Sequence, residues 1–433
     1  MPTVKYKFST YNHYGVLYDG NVLIYNLLSS AVAIMAEEEF HAIQKKVPGV
    51  GEEDLFQASI NMGFLVSEDE DELAKVIALR NANNFNDRRA GFQILPTTGC
   101  NARCFYCYEQ GFKSTVMSEK TMKETIDFIL NYCENMDEVT IAWFGGEPFT
   151  KETTIAKISK ALTEEFDKRG TRYCANVITN GALISENNIN AIATDYRISS
   201  VQITLDGRGA SHVARKGYVD KSVTYEKILQ NIALLTRRNI QVMVRINVDR
   251  TNIENCLGIF DDLIHLDANF ENLWPYVAPL YSEKSSYSDC FSQSDLSDVF
   301  LQVYKKMIDT GFIQSVDGLP MNFSNAVCCA KMMNNFVITP EGDIYKCEHL
   351  LNDPSEKIGH VATGIVFNST MSKWCDANIP EKCKGCSYLP ICQAGCYAAE
   401  SRGFGYGRCS YITFVDDAII EAANYLLKKG ETQ

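Results

Sequence analysis

Nowhere does the sequence hold an apolar run of the roughly eighteen residues that a helix needs to cross a bilayer. The opening MPTVKYKFSTYNHYGV lacks the basic stretch and apolar core of an export signal, so neither secretion nor membrane insertion is supported and a cytoplasmic protein is expected. Positive charge is short as well. Lys and Arg number 41 against 54 Asp and Glu, a net charge of -13 at pH 7, and that balance builds no broad basic surface to track a phosphate backbone. Nucleic acid is therefore not an expected partner. No internal repeat, low-complexity tract or flexible linker interrupts the chain.

What is there is a 433-residue chain with 46% hydrophobic residues, enough for two or three packed units. It carries 16 cysteines. In a small exported domain these would form a disulfide framework; in a large chain in a reducing cytosol they point to metal or cluster binding. Nine of the 16 fall between Cys328 and Cys409, which marks off a C-terminal module.

Three segments can be read. Residues 1–85 begin with the strand-like runs VKYKFSTY, VLYDGNVLIYNLL and AVAIM, with Asp19-Gly20 as a hairpin turn signal, and continue with helical patterns in AEEEFHAIQKK, EEDLFQASINMGFLV and DELAKVIALRNA. Three strands followed by three helices predict a small winged-helix-like module; a plain extension packed on a catalytic domain would show the same pattern. Over residues 86–315 the apolar runs FQILPT, VTIAWFGG, YCANVITN, SVQITLDG, QVMVRINV and LWPYVAPL alternate with amphipathic stretches such as SEKTMKETIDFILNYC. Short apolar strands separated by helices predict an α/β fold with a parallel sheet, and six such units suit a partial (β/α)6 barrel.

Polar and turn residues collect where these runs end, in Pro96-Thr97-Thr98-Gly99, Gly145-Gly146-Glu147-Pro148, Thr179-Asn180-Gly181 and Asp206-Gly207. Ligands of parallel α/β folds bind at that edge, so the chemistry is expected there. Residues 316–433 lose periodicity and turn irregular and cysteine-rich until the helical run FVDDAIIEAANYLLKK. Such a stretch needs metal centres in place of a hydrophobic core.

Cys100, Cys104 and Cys107 lie within GCNARCFYC on the loop after the first barrel strand. Three thiolates can hold three corners of a 4Fe–4S cube and leave one iron open to a small molecule. Zinc is the other reading of such a cluster, but it wants four ligands, and neither a His nor a fourth Cys is close in sequence. In Gly145-Gly146-Glu147-Pro148, glycines let the backbone approach a ligand and Glu147 can accept hydrogen bonds from an ammonium group.

The C-x-x-x-C-x-x-C spacing, with the aromatic Tyr106 before its last cysteine and the Gly-Gly-Glu-Pro run beyond it, resembles the signature of the radical S-adenosylmethionine (SAM) superfamily across the middle segment. The resemblance implies that SAM chelates the open iron and that an electron from the cluster cleaves its sulfonium to a 5′-deoxyadenosyl radical, which takes a hydrogen atom from the substrate. It also implies that Tyr106 packs on the adenine, that Gly145, Gly146, Glu147 and Pro148 line the SAM site, and that Asn180 and Thr204 contact the ribose. Capping or turn roles are equally open for the last two. Arg215 either pairs with the methionyl carboxylate or stands solvated.

The C-terminal module reads Cys329, twelve residues, Gly342, four, Cys347, then Cys383, two, Cys386, five, Cys392, three, Cys396, and finally Cys409. Seven spaced thiols exceed the needs of one four-ligand metal, so two centres are inferred, iron–sulfur clusters or a pair of zinc ribbons. The pattern resembles the SPASM extension of peptide-modifying radical SAM enzymes. That resemblance implies one auxiliary cluster on Cys329, Cys347 and Cys396 and another on Cys383, Cys386, Cys392 and Cys409, making three 4Fe–4S clusters in all. The first auxiliary set is one ligand short. Either Cys328 or Cys329 is a ligand there, Cys375 is a further candidate, or an iron stays open to a substrate thiolate. Cys133, Cys174, Cys256 and Cys290 read as buried thiols.

Within that group one large class matures ribosomally made peptides, including the thioether-forming sactipeptide and ranthipeptide synthases. The element order of residues 1–85 resembles the leader-recognition module of such enzymes. The expected function is hydrogen abstraction from a precursor peptide with its leader, followed by a thioether or carbon–carbon cross-link, with a flavodoxin- or ferredoxin-type electron donor. An anaerobic sulfatase-maturating enzyme, which makes formylglycine, is the alternative. Those enzymes generally begin close to the first triplet and carry an aspartate base after the cysteine matching Cys347, where this chain has Glu348. Glu348 either takes a proton from the substrate or is a solvated structural group. A multi-cluster electron carrier is a third possibility, but it would have no use for the Gly-Gly-Glu-Pro run.

Overall fold

Contacts divide the chain into two units, one made of Asn84–Cys290 with Cys329–Asp376, the other of Met1–Asn83 with Phe291–Cys328 and Ala377–Gln433. The computed structural model describes residues 5–46, 52–281, 287–321, 328–376, 378–403 and 407–431. Among these residues no helix is long and apolar enough to cross a membrane.

In the unit holding the N-terminal segment, strands β1 (Tyr6–Phe8), β2 (Asn12–Val16), β3 (Val22–Asn26) and β4 (Val32–Met35) precede helices α1 (Glu37–Gln44) and α2 (Glu53–Asn61), strand β5 (Leu65–Ser67) and helix α3 (Glu72–Asn84). Strands β2, β3 and β4 form an antiparallel sheet with β3 buried throughout, while β1 pairs with β5. The order of three strands and three helices is thus broken twice. The run VKYKFSTY, whose Val4 lies outside the described residues, stops where Ser9 turns to bind buried Glu72, and a separate strand opens at Asn12. The Leu65-Val66 end of the second helical pattern opens β5 because Gly63, at φ +78, ends the helix. Asp19-Gly20 makes the predicted hairpin, with Gly20 at φ +84 and Leu17 N donating to Asn21 O at 2.7 Å. A core cluster joins Tyr11 and Val76 to Ile379, Leu389 and Ala394, so part of the cysteine-rich segment does have an apolar core.

The other unit is built on parallel strands β6 (Arg89–Ile94), β7 (Glu138–Trp143), β8 (Arg172–Thr179), β9 (Ile198–Leu205), β10 (Gln241–Val248) and β11 (Leu273–Pro279), paired in chain order. All six overlap the predicted runs. Burial alternates along them, as in β8, where Tyr173, Ala175, Val177 and Thr179 are buried and the residues between are partly accessible. The connecting helices are α4 (Glu119–Tyr132), α5 (Glu152–Arg169), α6 (Gly209–Lys216), α7 (Tyr225–Arg237) and α8 (Ile253–Ile264). They bury Ile155, Ile158 and Leu162 of α5, Ile228 and Ile232 of α7, and Ile259 and Leu263 of α8, each contributing about 1.5–3 kcal/mol. Between β8 and β9 the crossover carries only a π turn, Ala191–Asp195.

Irregular chain was expected beyond residue 316. Instead β12 (Asn335–Ile338) pairs parallel with β6, and β13 (Asp343–Tyr345), β14 (Gly359–His360) and β15 (Gly364–Ile365) follow antiparallel, giving a ten-stranded sheet. Gly91 makes room for this addition, since a Cβ there would stand 2.6 Å from Asn335 Oδ1. Strands this short carry too little periodicity to be read from sequence.

Candidate active site at the strand ends

The loop after β6 is tied to its own continuation, Thr98 N donating to Thr115 O at 3.1 Å and Met117 N to Pro96 O at 3.0 Å. The end of β7 is clipped onto the same loop, with Gly146 N donating to Thr97 O at 3.2 Å and Glu147 N to Gly99 O at 3.0 Å. No side chain fits in that contact. A Cβ on Gly145, whose φ is +107, would lie 2.3 Å from Thr97 O, and one on Gly146 would lie 2.3 Å from Gly99 O. What these glycines approach is the loop leading to Cys100, where the sequence suggested a ligand.

Past Gly99 the three thiols gather. Cys100 Sγ accepts from Ala102 N at 3.3 Å, Cys107 N donates to Cys104 O at 3.2 Å, and Arg103 N donates to Lys216 O at 2.8 Å. Burial pushes Cys100 and Cys107 up to about 11, and neighbouring thiols push the same way. Cys104 is raised by burial too, with Lys216 acting against it. Thiols withdrawn from water and near enough to raise one another suit positively charged iron, so this donor set fits a cube held by three cysteines. Among the described residues no three His, Cys, Asp or Glu side chains converge at single-ion spacing; the corners of a cube hold thiolates further apart than one tetrahedral ion does.

Glu147 is fully buried, and its carboxylate accepts from Thr179 Oγ1 at 2.8 Å, Asn180 N at 2.9 Å and Phe149 N at 3.2 Å. Burial raises its pKa and the three donors oppose the rise. A carboxylate has about four acceptor positions, which leaves room for one more donor. Pro148 opens a 3-10 turn, Pro148–Lys151. Asn180 forms an Asx turn, Oδ1 accepting from Ala182 N at 3.0 Å, while Nδ2 donates to Asn101 Oδ1 at 2.7 Å beside Cys100. Thr204 is partly accessible on β9, level with Arg245 of β10.

Tyr106 donates to the Asp206 carboxylate at 2.7 Å and accepts from Lys216 Nζ at 3.1 Å. Lys216 also pairs with Asp206 at 3.1 Å, and both side chains are buried. Burial opposes the ammonium charge, yet Asp206 and Cys104 outweigh it and raise the Lys216 pKa. A lone lysine at the end of a helix carries no sequence signal, and Lys216 was missed in favour of its neighbour Arg215. Arg215 is not solvated: it pairs with buried Asp249, donates to Thr251 Oγ1 at 3.1 Å and lies 4.9 Å over the Phe105 ring.

His212 completes this network by accepting from Asp206 N at 3.2 Å. Burial foremost, and then Lys216, lowers the imidazole to about 3. The folded chain therefore keeps His212 neutral where an unfolded chain, titrating near pH 6.5, binds a proton. Stability from this group is full above about pH 6.5 and is lost as pH falls toward the folded value. Between pH 7 and pH 5 the loss is expected to be about 2 kcal/mol. Anaerobic urea midpoints at the two pH values check this, with His212→Gln expected to show a slope flatter by that amount.

Glu348 opens the turn Glu348–Leu350 directly after buried Cys347. Two residues that the sequence reading did not single out stand near it. Tyr108 sets its ring 4.4 Å from that of His349, and its phenol is raised by burial, then by Glu109 and Glu348, with Cys107 and Cys347 contributing. Glu109 is raised to about 7 by burial first and by Glu348 as well. Tyr108 is thus near both Cys107 and Cys347. Their position directly after the last cysteine of the triplet was the available signal.

Cys329 opens the turn Cys329–Lys331 in this same unit, and Cys375 caps the helix Ser369–Trp374. Cys328, Cys383, Cys386, Cys392, Cys396 and Cys409 belong to the other unit. There Cys396 N donates to Arg408 O at 3.0 Å, and Gly395 comes so close that a Cβ would be 1.9 Å from that oxygen. Cys383 is raised by burial, with Cys386 and Cys409 adding to the effect, so these three thiols are neighbours. Cys392 ends the short helix Leu389–Cys392. Cys133 and Cys256 are buried, whereas Cys174 and Cys290 are partly exposed.

A partial barrel with a thiol triplet after its first strand and a buried carboxylate after its second has the donor set to hold an iron–sulfur cluster at its strand ends. Residues 94–263 match the model of the radical SAM superfamily. That segment is a radical SAM domain, and the chain is an enzyme. It is 24% identical over 337 residues to the cysteine-type anaerobic sulfatase-maturating enzyme of Clostridium novyi (strain NT), covering 72% of this chain and 88% of that protein. It is 22% identical over 341 residues to the radical SAM cyclopropyl synthase TigE of Paramaledivibacter caminithermalis, covering 72% and 69%. Its fold resembles anSMEcpe with bound AdoMet and Kp18Cys peptide, at a TM-score of 0.59 and 16% identity over 80% of this chain and 100% of that one. It also resembles Streptococcus suis SuiB bound to precursor peptide SuiA, at a TM-score of 0.50 and 16% identity over 94% and 99%.

Proposed function

We propose that this enzyme is a leader-dependent peptide maturase, which takes a hydrogen atom from a ribosomally made precursor and installs a thioether or carbon–carbon cross-link. One observation carries this reading. Among the described residues β4 pairs only with β3, leaving its outer edge open to an added strand, and Ile34 on it is 39% exposed. A leader bound there tethers the precursor and raises its local concentration. SuiB, solved with precursor peptide SuiA, matches 94% of this chain against 80% for anSMEcpe, which supports a fold with the additional module.

In this reading residues 1–85 recognise the leader, residues 86–315 form the catalytic barrel and residues 316–433 carry the auxiliary centres. Cys100, Cys104 and Cys107 hold the SAM-binding cluster, which with SAM supplies a 5′-deoxyadenosyl radical when bound. Glu147 accepts a hydrogen bond from the SAM ammonium, while Tyr106, Gly145, Gly146, Pro148, Asn180 and Thr204 shape the rest of that site. Glu348, beside Tyr108 and Glu109, takes a proton from the peptide. Cys347 and Cys396 with either Cys329 or Cys328, and Cys375 as a further candidate, hold one auxiliary 4Fe–4S cluster, and Cys383, Cys386, Cys392 and Cys409 hold the other. A flavodoxin- or ferredoxin-type protein delivers the electrons.

A second reading, formylglycine formation, is favoured by the 24% identity to a sulfatase-maturating enzyme. The test uses the precursor encoded beside this gene. Deleting residues 1–85, or placing a charge on the open edge with Ile34→Lys, is expected to weaken leader binding at least about tenfold in fluorescence anisotropy. Unaltered affinity removes the leader assignment. With SAM and dithionite, mass spectrometry is expected to find a product two hydrogen atoms lighter and inert to hydroxylamine. A hydroxylamine-reactive aldehyde on a sulfatase-type peptide would favour the second reading.

A further inference from the structure

The inner face of the barrel carries a cation that the proposed chemistry leaves unused. Along β10, Val242, Val244 and Ile246 are buried, while Arg245 is half-buried on the opposite, partly accessible face. Strand register sets it level with Thr204 of β9 and Tyr276 of β11. Its Nε donates to Asn247 Oδ1 at 2.9 Å. Tyr276, whose hydroxyl donates to Gln202 Oε1 at 2.8 Å, is raised by burial while the adjacent Arg245 charge acts against the rise. The guanidinium therefore sits among neutral polar groups: an amide, a phenol and a threonine hydroxyl.

Several other arginines of the same unit are treated differently. Arg88, Arg172, Arg197, Arg208, Arg215 and Arg237 each pair with a carboxylate. Among the described residues Arg245 pairs with none. Withdrawing a guanidinium from water without an acid costs free energy that neutral partners return only in part. A planar fork oriented by one bond through Nε is also well disposed to take a carboxylate through two parallel bonds.

Its depth in the barrel indicates whose carboxylate. The pairing of Ile246 with Leu205 sets Asn247 level with Asp206, the residue that binds Tyr106 of the cysteine loop. Arg245 lies one pleat further from that loop. At the strand ends themselves, buried Lys216 already supplies a cation beside Cys104. We propose that Arg245 recognises a side-chain carboxylate of the substrate peptide, an Asp or Glu near the modified position, and so helps set which precursor the barrel accepts. This rests on the peptide reading above.

The test uses the reconstituted holoenzyme, the neighbouring encoded precursor and a set of precursor variants with each core Asp or Glu changed to Asn or Gln. Arg245→Gln is expected to weaken precursor binding at least about tenfold, with Arg245→Lys intermediate because it keeps the charge and loses the fork. One acid-to-amide change in the precursor is expected to cause the same loss with the wild-type enzyme and no further loss with Arg245→Gln. If no acid-to-amide change alters affinity for the wild-type enzyme, the proposal is overturned whether or not the variants fold. A fall in SAM affinity, read by equilibrium dialysis, with precursor binding intact would assign Arg245 to the methionyl carboxylate and overturn it too. A precursor that binds through its carboxylate but gains no cross-link leaves Arg245 standing and removes the maturase reading.

Discussion

The Cys104→Ser enzyme, reconstituted anaerobically, is expected to lose the iron and sulfide of one cube and to form 5′-deoxyadenosine roughly a thousandfold more slowly, about 4 kcal/mol on the barrier. Cys104 lies between the other two thiols of the triplet and interacts with both Lys216 and Asp206. A serine hydroxyl ionises far too weakly to replace a thiolate on iron. With only Cys100 and Cys107 left, two thiolates would remain to hold the cluster, too few to fix it in the loop. Cys133→Ser is the control, since that thiol is buried just past α4 and has no part in the site. It is expected to lower stability while leaving iron content unchanged. If Cys104→Ser retains both iron and 5′-deoxyadenosine formation, the triplet is not the cluster site.

Lys216→Met is expected to destabilise the barrel by about 3–5 kcal/mol, because it leaves the Asp206 carboxylate buried without its cation. The Tyr106 hydroxyl remains a donor to Asp206 but brings no charge. Breaking one side of a buried pair costs more than replacing both, so Asp206→Asn combined with Lys216→Met is expected to recover most of the loss. Anaerobic denaturant midpoints of the two single variants and the double variant measure the coupling. Additive effects would mean that Asp206 and Lys216 do not act as a pair. Because Tyr106 belongs to the same group, the single variant should also loosen the cysteine loop, seen as faster loss of iron to a chelator.

Parts of the site were legible for a local reason. Cys100, Cys104 and Cys107 fall on one loop, and Gly145, Gly146 and Glu147 end one strand, so a single stretch of chain displays each group. Glu109 and Tyr108 were overlooked although they adjoin Cys107, because one acid and one aromatic residue carry no spacing signal. The neighbours that raise Glu109 include Glu348, which is far away in sequence. Arg215 and Lys216 adjoin each other on α6 and look interchangeable. Their different partners, Asp249 and Asp206, separate them only once α6 has turned.

The sequence by itself determined the six barrel strands, the helices of every crossover but the one between β8 and β9, and the thiol triplet, because hydrophobic periodicity and ligand spacing are properties of neighbouring residues. Tertiary structure alone decided the pairing of β12 with β6, the fit of Gly145 and Gly146 against Thr97 and Gly99, the joining of Tyr106, Asp206 and Lys216, and the level at which Arg245 enters the barrel. Each of these depends on register and close approach between segments distant in the chain. Such contacts form only after the backbone has closed, and no local pattern encodes them.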